Sequence, residues 1–181
     1  MESKKLRVLA LAGMLAAVGY VLQLFEFPLL PAAAFFKFDF GDVAVFIAGS
    51  ATGPAGAILT AVVKGILWAL IGSGADGWIG AGMNTVTVIA FALPAAFLAR
   101  SRKVWVKVAA AALGVVVMTV VMAGVNLVVD PWYFKMPIAA VKAIMVTAII
   151  PFNLLRGLIN GAASVGVMLA LKRTAIFRSP R

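Results

Sequence analysis

Apolar residues in this chain do not alternate with polar ones at the spacing of a half-buried strand or a surface helix. They come in long runs, separated by short segments that collect the charges, glycines and prolines. A helix needs about 20 residues to cross about 30 Å of hydrocarbon at about 1.5 Å per residue. The runs predict six helices. The first spans 6–25. A short second spans 41–51 and ends at Gly53-Pro54. The third spans 55–71 and is closed by Gly72-Ser73-Gly74, and the fourth spans 78–99. The fifth spans 104–129, closed by Asp130-Pro131, and the last spans 138–171. Pro151 removes a backbone donor within the last helix and should kink it. The second helix is too short to cross a membrane without help.

Composition turns these runs into a membrane protein. Of 181 residues, 64% are hydrophobic and 12% charged, and the mean hydropathy is +1.11. Soluble domains carry about 25% charged residues. A soluble enzyme and a disordered tail are both excluded, leaving an all-α integral membrane protein read as a single domain, 1–181. The chain has no His and no Cys, which removes an imidazole base, a thiolate nucleophile, disulfides and ordinary zinc sites.

The net charge of +10 does not point to nucleic acid, because the charges are placed for topology. Most of the cations lie in three clusters: Lys4, Lys5 and Arg7; Arg100, Arg102, Lys103 and Lys107; Lys172, Arg173, Arg178 and Arg181. The positive-inside rule sets all three in the cytoplasm, with an even number of crossings between them and both termini inside. Apart from Glu2, the acids (Glu26, Asp39, Asp42, Asp76 and Asp130) fall in or beside the opposite, external loops. A signal peptide over 6–25 is a poor alternative, since the rest of the chain is as apolar as the start.

Polar side chains inside the runs are the functional suspects. Lys64 can snorkel or pair with an acid. Arg156, just past Pro151-Phe152-Asn153, needs an anion, carbonyls, water or a ligand's oxygens, because a guanidinium stays charged. Asn84, Asn126 and Asn153 fall in the external third of their helices and are expected to converge, and Asn160 lies deeper. A lone buried amide is usually glue between helices, whereas convergent amides suit a neutral, hydrogen-bonding small molecule. The segment 26–42 has two prolines and then alternates Phe36, Lys37, Phe38, Asp39, Phe40. It is too apolar to float in water and is expected to cap the outer mouth. Trp68, Trp78, Trp132 and Tyr133 read mostly as an interfacial belt. Ala12 and Ala16, like Gly13 and Ala17, form a small-xxx-small face suited to close helix approach, within the chain or with a partner.

No G-x-x-x-x-G-K-[ST] phosphate loop, G-x-S-x-G elbow or G-x-G-x-x-G turn is present, and no acid pair is placed within a predicted span. Energy for uphill movement of a solute must come from elsewhere.

Three stretches resemble a known family, the substrate-binding S components of the energy-coupling-factor (ECF) vitamin importers, and their riboflavin-specific type in particular. Lys37-Phe38-Asp39-Phe40-Gly41-Asp42 is similar to the family's Lys-x-Asp-x-Ser-Asp run, with Gly41 in place of Ser. Gly49 to Gly56, with Gly53-Pro54 and then Lys64, resembles the following turn and helix. Pro151-Phe152-Asn153-Leu154-Leu155-Arg156 is the most specific match, with Arg156 where the riboflavin type usually has Lys. After Gly80, Asn84 remains of a Gly-Glu-x-x-Asn run. The resemblance implies an S-component fold with six transmembrane helices in the prokaryotic cell membrane. It also implies riboflavin as transported ligand with no cofactor, and as partners a transmembrane scaffold (T) subunit and two ATPases. Lys37, Phe38, Asp39, Phe40, Asn84, Asn126, Asn153 and Arg156 would bind the vitamin, and Ala12 and Ala16 would meet the scaffold. Another small vitamin (thiamin, biotin, pantothenate) is the main alternative, and a small membrane enzyme or channel a remoter one.

Overall fold

The computed structural model describes residues 2–72, 77–98, 101 and 103–171. Asp76 and the cations Arg100, Arg102, Lys172, Arg173, Arg178 and Arg181 lie outside the described residues. The chain is a helical bundle: α1 (Glu2–Gln23), α2 (Gly41–Thr52), α3 (Pro54–Leu67), α4 (Gly77–Leu98), α5 (Val104–Trp132), α6 (Ile138–Ile144) and α7 (Ile150–Ala170). A π-helical stretch, Trp68–Gly72, continues α3, and another, Met145–Ile149, joins α6 to α7. Between α1 and α2 runs a two-residue antiparallel ribbon, β1 (Phe27–Pro28) and β2 (Lys37–Phe38), paired Phe27 to Phe38 and Pro28 to Lys37.

Five helical segments are long and apolar enough to cross a membrane: Lys5–Gln23, Pro54–Gly72, Gly77–Leu98, Val104–Trp132 and Ile138–Ala170. Their outward faces are apolar (Leu9, Val120 and Val146 are all exposed), as a lipid-facing surface requires. The short sixth helix, α2, solves its length problem by burial. Every residue from Gly41 to Ser50 is buried, so α2 sits in the bundle centre and meets protein rather than lipid. Val43, Phe46 and Ile47 pack against Ala90, Phe91 and Ala95 of α4 and Ala110, Ala111, Val115 and Met118 of α5. Its other side sets Val45 against Ala57, Ala61, Val88, Ala92 and Ala96. So many alanines at the contacts let the helices approach closely, which is how helices associate where lipid is as apolar as they are. Gly53 links α2 to α3 with φ of +89°, a conformation open to glycine, and Pro54 starts α3 where its missing N–H costs nothing.

One predicted boundary changes, and the last crossing stays whole. Helix α5 does not stop at Asp130-Pro131 but runs through Pro131 to Trp132, since a proline in the final turn forfeits only one bond. This keeps Asp130 on the helix face that carries Met122 and Asn126. Pro151 does not break the last crossing. The wider turn of the π-helical stretch precedes it, closed by the Ile150 N–H donating to the Met145 carbonyl, and Pro151 then occupies the first turn of α7.

The ends of the bundle differ. One holds the ribbon, the C-terminal ends of α1 and α5 and the start of α4. The other holds Lys5, Arg7, Lys103 and the Gly53 turn. Trp78, Trp132 and Tyr133 lie exposed at the first end, where a belt is expected, but Trp68 turns inward.

Candidate functional site

A cavity of about 460 Å³ opens at the ribbon end, within the about 300–1,000 Å³ typical of small-molecule sites. Three helices each supply a periodic wall. Gly77, Gly80, Ala81, Asn84 and Thr87 recur along one face of α4, and the small residues there leave the space open. Met122, Asn126 and Asp130 line it from α5 at intervals of four, and Phe152, Asn153 and Arg156 from the first turns of α7. The segment 26–42 forms the cap expected of it, with Glu26, Phe35, Phe36, Lys37 and Asp39 on the wall. Phe36 stacks on Phe152 with ring centroids 5.1 Å apart, which ties the cap to α7.

Of the expected binding residues, Lys37, Asp39, Asn84, Asn126, Asn153 and Arg156 come together on this cavity. Phe38 and Phe40 do not, and that expectation is corrected. Phe35 and Phe36 reach the wall from the turn before β2, and from Lys37 onward the extended chain alternates, so that Lys37 and Asp39 face the cavity. Phe38 is fully buried on the other side, edge-on to both Phe27 and Phe40, and Phe40 is partly exposed. Ala12 and Ala16 are also corrected. Both are completely buried, so their face packs within the chain and is closed to another subunit, while Gly13 and Ala17 are the exposed pair.

The acids are where the sequence misleads most. Asp39, Asp42 and Asp130 were expected in or beside water-facing loops, yet all three are buried. Asp39 and Asp42 meet Lys64 and Arg156 in a four-member charge cluster beneath the cavity. Arg156 grips Asp42 in a fork, Nε donating to Oδ2 at 2.8 Å and Nη2 to Oδ1 at 2.9 Å, with Asp39 at 3.7 Å. Lys64 lies 3.5 Å from Asp42 and 3.9 Å from Asp39. Arg156 therefore has its anion from the protein and needs none from a ligand. Asn160 donates to the Asp39 carbonyl at 3.0 Å, holding the cap's base to α7. Burial pushes the Asp39 carboxyl above the ordinary aspartate range, against the pull of Lys64. Gly41 lets this cluster form, for a Cβ there would fall 2.6 Å from the Gly19 carbonyl and 2.7 Å from Lys64 Cε. Asp42, Gly41 and Gln23 were not among the expected binding residues. The i, i+3 spacing of Asp39 and Asp42 was the available signal for the first.

What remains open toward the cavity is a balanced set of polar atoms. Asn84 Oδ1 accepts from Arg156 Nη2 at 2.5 Å, which leaves the Asn84 amide N–H groups and Arg156 Nη1 as donors. Asn126 and Asn153 each donate one N–H to their own helix, to the Met122 and Ile149 carbonyls, which leaves Oδ1 of each as an acceptor. Between them stand Met83, Met122, Met136, Ile144, Phe36 and Phe152. Such a site takes a neutral, partly flat molecule with donors and acceptors on its edge.

The family model for the ECF transporter substrate-specific component matches residues 7–168. The chain belongs to this family. As an S component it is part of a transporter and not an enzyme. It is 31% identical to the riboflavin transporter FmnP of Bacillus subtilis, covering 93% of each chain. It is 30% identical to the riboflavin transporter RibU of Streptococcus thermophilus, over 92% of this chain and 83% of that one. Against RibU of Staphylococcus aureus it is also 30% identical, over 91% and 88%. A solved S component of a bacterial ECF transporter superposes with a TM-score of 0.77 at 26% identity, covering 93% of this S component and 96% of that chain.

Proposed function

We propose that this S component binds riboflavin from outside the cell and delivers it inward through an ECF scaffold subunit and two ATPases, as one membrane domain of the prokaryotic cell membrane. The observation that carries the reading is the capped cavity itself, with apolar and aromatic walls and the edge-reading set Asn84, Asn126, Asn153 and Arg156. Riboflavin is flat, apolar on its ring faces and rich in donors and acceptors at the ring edge, and it is uncharged, so burying it incurs no ionic desolvation penalty. The relatives at about 30% identity, all riboflavin transporters, support the same ligand. The basic residues Lys5, Arg7 and Lys103 at the opposite end favour that end facing the cytoplasm, with both termini inside. The absence of a phosphate loop fits a subunit that draws on partner ATPases.

The test is direct. The detergent-purified chain is titrated with riboflavin while flavin fluorescence is followed, beside a panel of labelled thiamin, biotin and pantothenate. Saturable quenching by this chain, weakened about tenfold or more in Asn153→Ala, is the expected result. Saturable binding of a different vitamin, with riboflavin fluorescence unaltered, would refute the ligand assignment.

A further inference from the structure

Trp68 is out of place for a belt residue. Trp78, Trp105 and Trp132 are exposed on the surface of the bundle, whereas Trp68 turns its indole onto the cavity wall. The fold is shaped around that ring. Helix α3 widens into its π-helical stretch at Trp68 itself. Gly72, at the end of that stretch, leaves the indole its room, for a Cβ there would fall 2.8 Å from Trp68 Cε3. From α1, Tyr20 meets the indole edge-on, with ring centroids 6.4 Å apart and the planes at 61°. Among the described residues on the cavity the other aromatic rings are Phe35, Phe36, Phe134 and Phe152. A phenyl ring yields an electron far less readily than an indole, so among these rings Trp68 alone is a ready electron donor. The same wall carries three of the eight methionines, Met83, Met122 and Met136. The chain has no Cys and no His, so after the indole these thioethers are the groups on the wall most open to oxidation.

Resting on the riboflavin reading, we infer that Trp68 quenches light-excited flavin in the cavity by lending it an electron, and so shields Met83, Met122 and Met136 from oxidation by a photoreactive cargo. The flavin ring absorbs visible light, and its excited state is a strong one-electron oxidant. Electron transfer falls steeply with distance, and a pocket of this kind buries most of its ligand's surface, which brings wall and ring into contact. Trp68 passes one electron to the excited ring, giving a flavin anion radical and an indole cation radical. The electron then returns, both partners are restored, and no bond is made or broken. Without that quick return the excited ring lasts long enough to oxidise a methionine thioether, and there the change persists. Water adds its oxygen atom to the sulfur while two electrons and two protons pass to the flavin, leaving a sulfoxide and a dihydroflavin. Dioxygen reoxidises the dihydroflavin, giving flavin and hydrogen peroxide. A sulfoxide is polar where the thioether was apolar, so one on this wall spoils the surface that packs against the ring.

The test uses the full chain in detergent, its Trp68→Phe variant and, as controls at exposed positions, Trp78→Phe and Trp132→Phe. Retention of labelled riboflavin, measured in the dark, reports binding and shows that a variant is folded. In the unaltered chain, transient absorption after a light pulse should show the flavin and indole radicals rising as the excited flavin decays, and then vanishing together. In Trp68→Phe the fluorescence lifetime of the bound flavin should lengthen several-fold. After illumination in air, mass spectrometry should find several-fold more sulfoxide at Met83, Met122 and Met136 in that variant. Met118 and Met168, sealed in the bundle away from the cavity, should stay unoxidised, and both control variants should match the unaltered chain. No radical pair in the unaltered chain would overturn the quenching role, even if Trp68→Phe failed to fold. An unaltered lifetime in a Trp68→Phe chain that retains riboflavin would do the same. Equal sulfoxide in the two proteins, or oxidation spread evenly to the exposed Met14, would overturn the shielding. Failure of the unaltered chain to retain riboflavin in the dark would instead overturn the ligand reading, and the inference with it.

Discussion

The buried charge cluster makes a sharp quantitative prediction. In Arg156→Met, Asp39 and Asp42 are left facing Lys64 alone, and the two fork bonds at 2.8 and 2.9 Å are lost. Each charge-assisted bond contributes about 1.5–3 kcal/mol, which matches the about 3–5 kcal/mol for breaking a buried pair from one side. Asp42→Asn is the mirror case, with Lys64 and Arg156 left against Asp39, and should cost a similar amount. The double variant removes one charge of each sign. It leaves Lys64 and Asp39, which lie 3.9 Å apart, as a balanced pair. Its destabilisation should therefore fall about 2–4 kcal/mol short of the sum of the two single losses. Reversible unfolding in mixed micelles, titrated with a denaturing detergent and read through Trp68, Trp78, Trp105 and Trp132, measures all four corners of this cycle. Additivity within about 0.5 kcal/mol would show that Asp42 and Arg156 act independently and would refute the cluster as an energetic unit.

Gly41→Ala should cost about 3 kcal/mol in the same assay, because the Gly19 carbonyl 2.6 Å from the new Cβ is backbone and cannot yield; a neutral effect would mean that α1 and α2 can separate freely. The neighbouring phenylalanines should divide by function. Phe38→Ala, in a fully buried position off the cavity, should lower stability by about 3–5 kcal/mol, whereas Phe36→Ala should chiefly weaken riboflavin binding through loss of the stack on Phe152. The reverse assignment in fluorescence titration and unfolding would sink this reading of the cap. Ala16→Leu should reduce the yield of folded, monodisperse chain, since the side chain is sealed within the bundle, while Gly13→Leu, whose added atoms meet open space, should fold normally. Equal behaviour of the two on size-exclusion chromatography would contradict the packing of α1.

The crossings were legible because lipid imposes a rule that sequence must obey locally. Each backbone polar group in hydrocarbon has to bond within its own helix, so a run of about 20 apolar residues announces its structure without reference to the rest of the chain. The short 41–51 run, the Gly53-Pro54 turn and the cap over 26–42 were readable for similar reasons of length and proline chemistry. Asn84, Asn126 and Asn153 could be singled out because an amide in an apolar run demands a reason, and their depth along each helix follows from counting residues.

Which of these groups the ligand can use was decided only by the packing of the helices. Position along a helix gives depth but not rotation, and pairing between helices depends on rotation. The sequence marked Arg156 as needing an anion but could not reveal that Asp42, more than a hundred residues earlier, would fill that need. Nor could it show that Ala12 and Ala16 turn inward while Gly13 and Ala17 turn out, because a small-residue face serves either contact equally well. For Phe38 and Phe40 the alternation was correct and the facing was not. The segment offers a phenylalanine side and a charged side, and only its docking in the fold turns Lys37 and Asp39 to the cavity while sealing Phe38 against Phe27 and Phe40.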